Sequence, residues 1–242
     1  MLEVYPILWS LGVLLIFYAI YRVIYTRRLL QNSDTLVAQS KKFERVVPDA
    51  AQTILVLGDS TAVGTGATPA TSTAGRLGAL YPTASVYNYA VNGLKLKGLI
   101  KQMNESPVKD FENKKADIVL IQIGANDLVY FTPLPQIENE LKEVLRKASV
   151  IGKKIIILHS GLAGTAPIFP FWIEWLWNTR AWAVRSIYMR EAPKYGATYI
   201  DIITSSSDAN FQKYPYKYYA SDMFHPNSNG YSLWFEEIKK AL

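Results

Sequence analysis

Residues 53–66 read Thr-Ile-Leu-Val-Leu-Gly-Asp-Ser-Thr-Ala-Val-Gly-Thr-Gly, and this stretch decides the predicted fold. The aliphatic run over 53–57 is cut off by Gly58, which is typical of a strand buried on both faces of a parallel sheet. The strand leads Gly-Asp-Ser into a turn of small residues. Because open α/β sheets bind their ligands beyond the carboxyl ends of the strands, Ser60 is the candidate nucleophile.

Strand-like and helix-like segments alternate through the rest of the chain. Strands separated by helices of this length predict right-handed crossovers and a parallel sheet covered by helices on both faces. No internal repeat is visible, so one domain of catalytic size is expected. The further predicted strands are 84–90, 116–123, 154–159 and 197–202, and the predicted helices are 73–80, 94–104, 135–150, 171–192 and 227–241.

The composition excludes several classes of function. Half of the 242 residues are hydrophobic, which is enough for a substantial core. The net charge of +6 includes no basic run longer than two residues, so an ordinary solvated surface and no nucleic-acid partner are expected. The chain has no cysteine and only two, distant histidines, which argues against a zinc site. Its glycines fit neither a dinucleotide nor a phosphate-loop fingerprint, so no metal and no cofactor are expected.

Residues 1–28 are predicted to form a membrane anchor. Val4 to Tyr21 are 18 uncharged positions, which reaches the lower range for a membrane-spanning helix. A cleaved signal peptide would need a basic amino-terminal region and a small-x-small cleavage site, and the sequence has neither. A buried core helix fits poorly, because the charges lie outside the run and not along one face. Residues 29–52 are expected to form a polar, partly helical stalk that ends near Pro48, and residues 53–242 the catalytic domain.

The charges that flank the predicted anchor indicate its orientation. No Lys or Arg precedes the apolar run, whereas several follow it, and by the positive-inside rule the carboxyl-terminal domain would face the cytoplasm. An extracytoplasmic domain is the alternative, since hydrolases tethered in this way often work outside the cell membrane. The basic residues that follow the run are Arg22, Arg27, Arg28, Lys41, Lys42 and Arg45.

Three further polar motifs lie after predicted strands or before the last predicted helix. Each is ordinary alone, because Asn-Gly and Asn-Asp are common in loops and Pro is common near helix starts. Their order at successive ends of the sheet, with Ser60 first, is the specific signal. They are Asn88-Tyr-Ala-Val-Asn-Gly93, Gly124-Ala-Asn-Asp127 and Asp222-Met-Phe-His-Pro226.

Together with Gly-Asp-Ser60, these motifs resemble in order and spacing the four blocks of the SGNH hydrolases, the GDSL esterase and lipase superfamily. The resemblance covers residues 53–242, four-fifths of the chain. It implies a flavodoxin-like three-layer α/β/α sandwich with a five-stranded parallel sheet, here preceded by one transmembrane helix. Thr61-Ala-Val-Gly64, Ala90 and Leu94-Lys95 depart from common family residues, and these departures concern substrate shape more than activity.

The resemblance assigns the catalytic roles to Ser60, His225 and Asp222. A serine hydroxyl is a poor nucleophile at neutral pH and needs an adjacent base. His225 follows Asp222 by three residues, so one turn can bring the carboxylate to the imidazole while His225 takes the proton from Ser60. The other histidine, His159, ends a hydrophobic strand and is expected to be structural.

The same resemblance implies an oxyanion hole of three donors. These are the backbone N–H groups of Ser60 and Gly93 and the side-chain amide of Asn126. Glycine at position 93 would let the backbone approach closely without a Cβ in the way. Asp59 and Asp127 are expected to brace loops and not to take part in the chemistry.

A stripe of large residues bears on the substrate. Residues 166–182 hold four of the six tryptophans, and several recur at helical spacing. Such a stripe packs in a core, forms a lid or wall over an acyl pocket, or dips into the bilayer beside the anchor. The stripe consists of Trp172, Trp175, Leu176, Thr179 and Trp182.

An anchored esterase with an apolar aromatic wall suggests acyl esters of lipids, such as lysophospholipids, as substrates. Acetyl esters of cell-envelope sugars are the alternative, since the family also deacetylates carbohydrates. A catalytically inactive binding domain tethered to the membrane is the alternative from another class. Such a domain would not need Ser60, Asn126, Asp222 and His225 all intact.

Overall fold

Five parallel strands form the centre of the protein in the computed structural model, which describes residues 4–242, with side chains from residue 9 onward. In chain order the strands are β1 (Gln52–Gly58), β2 (Ala84–Asn88), β3 (Ala116–Gln122), β4 (Gly152–Leu158) and β5 (Ala197–Tyr199). They lie in the order β2-β1-β3-β4-β5, so β1 pairs with β2 on one side and β3 on the other. The predicted five-stranded parallel sheet is confirmed.

Helices cover both faces of this sheet, because successive side chains of a strand point to opposite faces. Leu55 and Leu57 of β1 belong to the core on one face of the sheet, whereas Ile54 and Val56 belong to the core on the other face. The result is the predicted three-layer α/β/α sandwich. The helices are α1 (Val4–Gln39), α2 (Ser60–Val63), α3 (Thr73–Leu80), α4 (Leu96–Met103), α5 (Ala125–Val129), α6 (Leu134–Ile151), α7 (Glu174–Glu191), α8 (Ser206–Lys213), α9 (Pro215–Tyr218) and α10 (Ser228–Lys239).

Two strands end at least two residues earlier than predicted, for local reasons. The second ends at Asn88 and not at residue 90, because the Asn88 side chain accepts a hydrogen bond from the N–H of Ala90 at 3.0 Å and closes a turn. The fifth ends at Tyr199 and not at residue 202, because the N–H of Ile202 turns back to the carbonyl oxygen of Ile200 at 3.2 Å. Both turns bring polar residues to the carboxyl edge of the sheet.

The first helix, α1, continues unbroken to Gln39, past the predicted end of the anchor at residue 28. Within the described part of the chain, Trp9–Gln39 of α1 is the one helical segment long and apolar enough to cross a membrane, with a mean hydropathy of 1.5 over an 18-residue window. Large apolar side chains in its first half, such as Leu14 and Phe17, are exposed. The first three residues of the predicted anchor lie outside the described residues.

Residues 29–52, predicted as a stalk, lie against the domain in the structure. Leu29 is buried in a cluster that includes Ile168. The Nη2 atom of Arg45 donates to the carbonyl oxygen of Ala84 at 3.0 Å, at the start of the edge strand β2. The difference from the prediction arises because these side chains find partners far away in the sequence. The segment is therefore packed as part of the folded unit.

Candidate active site

The turn after β1 holds Ser60 at the carboxyl edge of the sheet. Gly58 adopts a φ of +139°, and a Cβ at this position would collide with the carbonyl oxygen of Gln122 on β3, so only glycine fits. Asp59 then caps the short helix α2, because its side chain accepts from the N–H of Thr61 at 2.9 Å. Ser60 is the first residue of α2 and is fixed between the strand and this capped turn.

A continuous hydrogen-bonded chain joins Asp222, His225 and Ser60. The Nε2 atom of His225 lies 2.8 Å from the Oγ atom of Ser60. Its Nδ1 atom lies 2.6 Å from the Oδ2 atom of Asp222. The other carboxylate oxygen of Asp222 accepts the backbone N–H groups of Phe224 and His225 at 3.1 and 3.0 Å. The structure thus brings together the three residues to which the sequence resemblance assigned catalysis.

Electrostatics favour the ionised form of Asp222. Burial alone would raise the pKa of this carboxyl, since the side chain is fully buried. The hydrogen bonds from His225 and from the backbone outweigh that effect and hold the pKa of Asp222 below its ordinary value. A carboxylate in this state accepts a hydrogen bond from the Nδ1–H group of His225, which leaves Nε2 free to accept the proton of Ser60.

The three predicted oxyanion donors line the same cavity as His225. Gly93 has a φ of +75°, and a Cβ there would meet no atom within 4 Å among the described residues, so backbone conformation and not crowding explains the glycine. Asn126, on α5, donates one N–H of its amide to the carbonyl oxygen of Leu94 at 3.0 Å. That bond orients the amide and leaves its second N–H for another acceptor.

Asp59 and Asp127 lie beside the site and brace its loops. Asp59 accepts from both the N–H and the hydroxyl of Thr61, and its burial raises its pKa to about 6. Asp127 accepts the backbone N–H of Leu96 at 2.9 Å and so joins α5 to the start of α4. Burial also raises the pKa of Asp127. Neither carboxylate bonds to His225 or Ser60 among the hydrogen bonds of the described residues.

His159 lies at the end of β4 and is packed among aromatic rings. Its ring centroid is 5.2 Å from that of Tyr188 and 5.8 Å from that of Tyr199. Burial lowers the pKa of His159 to about 4, so this side chain is neutral at pH 7. These contacts are those of a structural residue.

A cavity of about 330 Å³ opens beside Ser60. Sites for small molecules span about 300–1,000 Å³, so the cavity has room for a ligand. Aromatic and aliphatic side chains form most of its walls, with a few polar groups such as Ser160 and Asp208. The large apolar residues of the wall include Ile168, Phe169, Phe211, Phe224 and Trp234.

Helix α1 supplies one wall of this cavity, which sequence reasoning missed. Leu30, Ser33, Asp34 and Val37 all line it. Their spacing follows one face of a helix, but nothing in the local sequence indicates contact with residues 60–225. The sequence analysis instead predicted a polar stalk for residues 29–52. The signal that does exist is the helical repeat of Leu30, Ser33 and Val37.

The tryptophan stripe faces outward and not into the core. All five members are exposed, among them Trp172, Trp175 and Trp182 at 46, 66 and 43 %. The opposite face of α7, which includes Val184 and Ile187, is buried. None of the stripe lines the cavity beside Ser60. The predictions that these residues pack in the core or form a wall over the acyl pocket are therefore wrong. The alternative that remains is a contact made by the outward face of the helix.

The sequence profile of the GDSL-like Lipase/Acylhydrolase family matches residues 56–233, and the chain belongs to this family. The resemblance to the SGNH hydrolases is thereby confirmed, and with it the class of enzyme, a carboxylic ester hydrolase. A search of curated protein sequences found no significant match.

Several solved structures share the fold. LAE5, an α/β hydrolase from the metagenome of Lake Arreo in Spain, is 20% identical with a TM-score of 0.62, covering 79% of this chain and 95% of its own. A lipolytic G-D-S-L protein from Veillonella parvula is 18% identical with a TM-score of 0.62, covering 79% and 98%. Axe2, an acetylxylan esterase from Geobacillus stearothermophilus, is 20% identical with a TM-score of 0.55, covering 79% and 94%. At these identities the likeness shows the fold alone.

Proposed function

We propose that the protein is a membrane-anchored serine hydrolase that cleaves acyl esters of lipids, with lysophospholipids as the substrate class. The observation that carries the proposal is the bonded chain from Asp222 through His225 to Ser60, placed beside a largely apolar cavity. A hydrogen-bonded serine, histidine and carboxylate supply a nucleophile, a base and a group that orients the base. The apolar walls suit an acyl chain.

The reaction starts when His225 takes the proton of Ser60 through Nε2 as Oγ attacks the ester carbonyl. Asp222 holds the Nδ1–H tautomer of His225 and stabilises the imidazolium that forms. The N–H groups of Ser60, Gly93 and Asn126 stabilise the oxyanion of the tetrahedral intermediate. His225 then protonates the leaving alcohol, and a water activated by the same base hydrolyses the acyl-enzyme.

The size and lining of the cavity support an acyl chain longer than acetate. An acetyl group would leave most of the volume beside Phe169, Phe211 and Phe224 unfilled, and apolar surface that stays uncovered contributes no binding energy. A chain of several methylenes buries that surface. A lysophospholipid has a single chain, so it leaves a bilayer more readily than a two-chain lipid to reach Ser60.

Membrane anchoring is supported by the length of the uncharged run. The 18 residues from Val4 to Tyr21, at a helical rise of 1.5 Å, span about 27 Å, close to the ~30 Å of a bilayer core. Leu30, the first residue of α1 that lines the active-site cavity, follows Arg22 by eight residues, or about 12 Å along the helix. The active site thus lies near the membrane surface. The positive-inside rule places this surface on the cytoplasmic side.

The proposal is tested with Ser60→Ala and p-nitrophenyl esters from acetate to palmitate. The wild-type protein should label with a fluorophosphonate probe and prefer a chain longer than acetate, whereas Ser60→Ala should neither label nor turn over. Ser186→Ala is the matched control, because Ser186 is exposed on α7 and should leave both unchanged. Labelling of Ser60→Ala would contradict the nucleophile assignment, and a preference for acetate would favour the sugar deacetylase.

A further inference from the structure

A second cavity, which we call the anchor groove, lies between α1 and the segment before α7. Its volume is about 640 Å³, and it shares no lining residue with the cavity beside Ser60. Most of its lining is apolar. The anchor groove is lined by Leu15, Tyr18, Ala19, Arg22, Val23, Thr26, Arg27, Pro170 and Trp172.

Arg22 places in this groove a guanidinium with two nitrogens that lack a hydrogen-bond partner. Its Nε and Nη2 atoms are buried and have no hydrogen-bond partner among the residues that the structure describes. Its Cζ atom lies 5.9 Å from the ring centroid of Trp172 and 5.3 Å from that of Tyr25, so aromatic rings flank the charge. Buried N–H donors of a charged group are unfavourable without an acceptor, and a guanidinium matches the oxygens of a phosphate group.

The charges around Arg22 also favour an anion. Arg27 lines the same groove, and none of the described residues that line it is acidic. Arg22 is also the first charged residue after the uncharged run that begins at Val4. If that run fills a bilayer core of ~30 Å, Arg22 lies at the depth of the lipid phosphates. Leu15 and Ala19, earlier on α1, then lie at the depth of the acyl chains.

Aromatic residues around the groove support the same depth. Trp172 packs against Tyr18 of α1 with 5.7 Å between ring centroids, which ties the segment before α7 to the anchor. Phe171 and Trp175 are exposed at 74 and 66 %, unusually high for side chains of this size. Tryptophan and tyrosine are enriched at membrane–water interfaces. The exposed face of α7 thus continues the interface that the anchor starts.

We propose that the anchor groove binds a membrane phospholipid, with the lipid phosphate on Arg22 and an acyl chain along Leu15 and Ala19. The inference rests on the membrane anchoring in the proposed function but not on catalysis. Binding there holds the segment from Pro170 to Trp172 against α1. Because Phe169, the preceding residue, lines the cavity beside Ser60, the bound lipid also fixes the wall of the active site that faces the membrane.

The test measures lipid binding without turnover, in full-length Ser60→Ala extracted in detergent. Native mass spectrometry is used to titrate dioleoylphosphatidylglycerol, with dioleoylglycerol as a probe that has the same chains and no phosphate. We expect one phosphatidylglycerol per protein and weak binding of dioleoylglycerol. A further Arg22→Gln substitution should lower the affinity about tenfold, the scale of one lost charge-assisted hydrogen bond.

Arg28→Gln is the matched control, because Arg28 is exposed on the same helix and does not line the groove. This variant should bind phosphatidylglycerol with the same affinity as the parent. If Arg22→Gln does not fold, Arg22→Lys should still bind more weakly than the parent, since lysine lacks the planar fork. Equal affinity of the Arg22 and Arg28 variants would overturn the site. So would equal binding of dioleoylglycerol, or displacement of the lipid by inorganic phosphate. A negative result in this lipid-binding test would not change the outcome of the ester hydrolysis test on the wild-type protein.

Discussion

Asp222→Asn replaces one carboxylate oxygen of the site by an NH₂ group. The substitution removes the group that orients the base His225 and leaves His225 itself in place. Asparagine keeps an oxygen that can accept the backbone N–H groups of Phe224 and His225, as Oδ1 of Asp222 does at 3.1 and 3.0 Å. Its NH₂ group then replaces Oδ2, which lies 2.6 Å from Nδ1 of His225. Two donors cannot face each other at that distance, so the imidazole proton moves to Nε2.

The expected loss of kcat follows from the tautomer of His225 that carries its proton on Nε2. With a proton on Nε2, His225 cannot accept the proton of Ser60, although the 2.8 Å contact between Nε2 and Oγ is kept. In serine proteases the equivalent substitution lowers kcat about 10⁴-fold with the geometry intact. We expect a loss of the same order here, because Asp222 is fully buried and no water replaces the missing acceptor.

The assay is hydrolysis of a p-nitrophenyl ester, with melting temperature as the control for folding. Asp110→Asn serves as a matched control, since Asp110 bonds to Ser106 on an exposed turn and should leave kcat unchanged. The loss in Asp222→Asn should lie mainly in kcat, since the residue does not line the cavity. A variant that folds and loses less than about tenfold would refute the role of the carboxylate and assign orientation of His225 to another group.

Three further predictions test other parts of the molecule. Asn126→Ala should lower kcat and kcat/KM together by about 10²–10³ with little change in KM, and a rise in KM alone would show ground-state binding. Asp59 has a pKa raised by burial to about 6, above its unfolded value, so stability is lost as pH rises from about 4 to 6, by about 3 kcal/mol at most. Asp59→Asn should remove this loss, so the difference in melting temperature between variant and wild type should increase across that window, and a constant difference would contradict the raised pKa. A chain beginning at Ala50 should lose its preference for long esters and melt at a lower temperature, because it lacks Leu30 and Val37 of the cavity wall and Arg45, which donates a hydrogen bond to β2. Unchanged chain-length selectivity would contradict the role of α1 in the cavity wall.

The parts of the fold that could be predicted are those that local sequence determines. The aliphatic run of β1 has apolar residues for both faces of a sheet, so it has no other stable place than between two layers of helices. Ser60 and Asn126 follow glycines at strand ends, and His225 precedes the proline before the last helix. Parallel strands bring their carboxyl ends to one edge. The order of the motifs therefore sufficed to predict a common site.

The parts that could not be predicted depend on contacts distant in sequence or on a choice between similar faces. Helix α7 carries large apolar residues on both faces, so helical periodicity could not decide whether Trp175 or Val184 faces the sheet. The smaller Val184, Ile187 and Ala181 are buried there instead. In the same way, Ser33 and Asp34 are polar although they line the active-site cavity, so the sequence did not indicate that this part of α1 packs there.

These two failures concern the same side of the protein. Trp172, at the start of the exposed stripe, contacts Tyr18 and Arg22 of α1, so the stripe adjoins this helix. A domain in water would gain stability by burying those rings, since each large aromatic side chain that leaves water contributes about 1.5–3 kcal/mol. A domain held against a bilayer instead gains stability when those rings face the lipid. The sequence pattern was misleading because it was interpreted with water as the solvent on every side, whereas the membrane anchoring that we propose would give α1 and α7 a lipid surface on one of them.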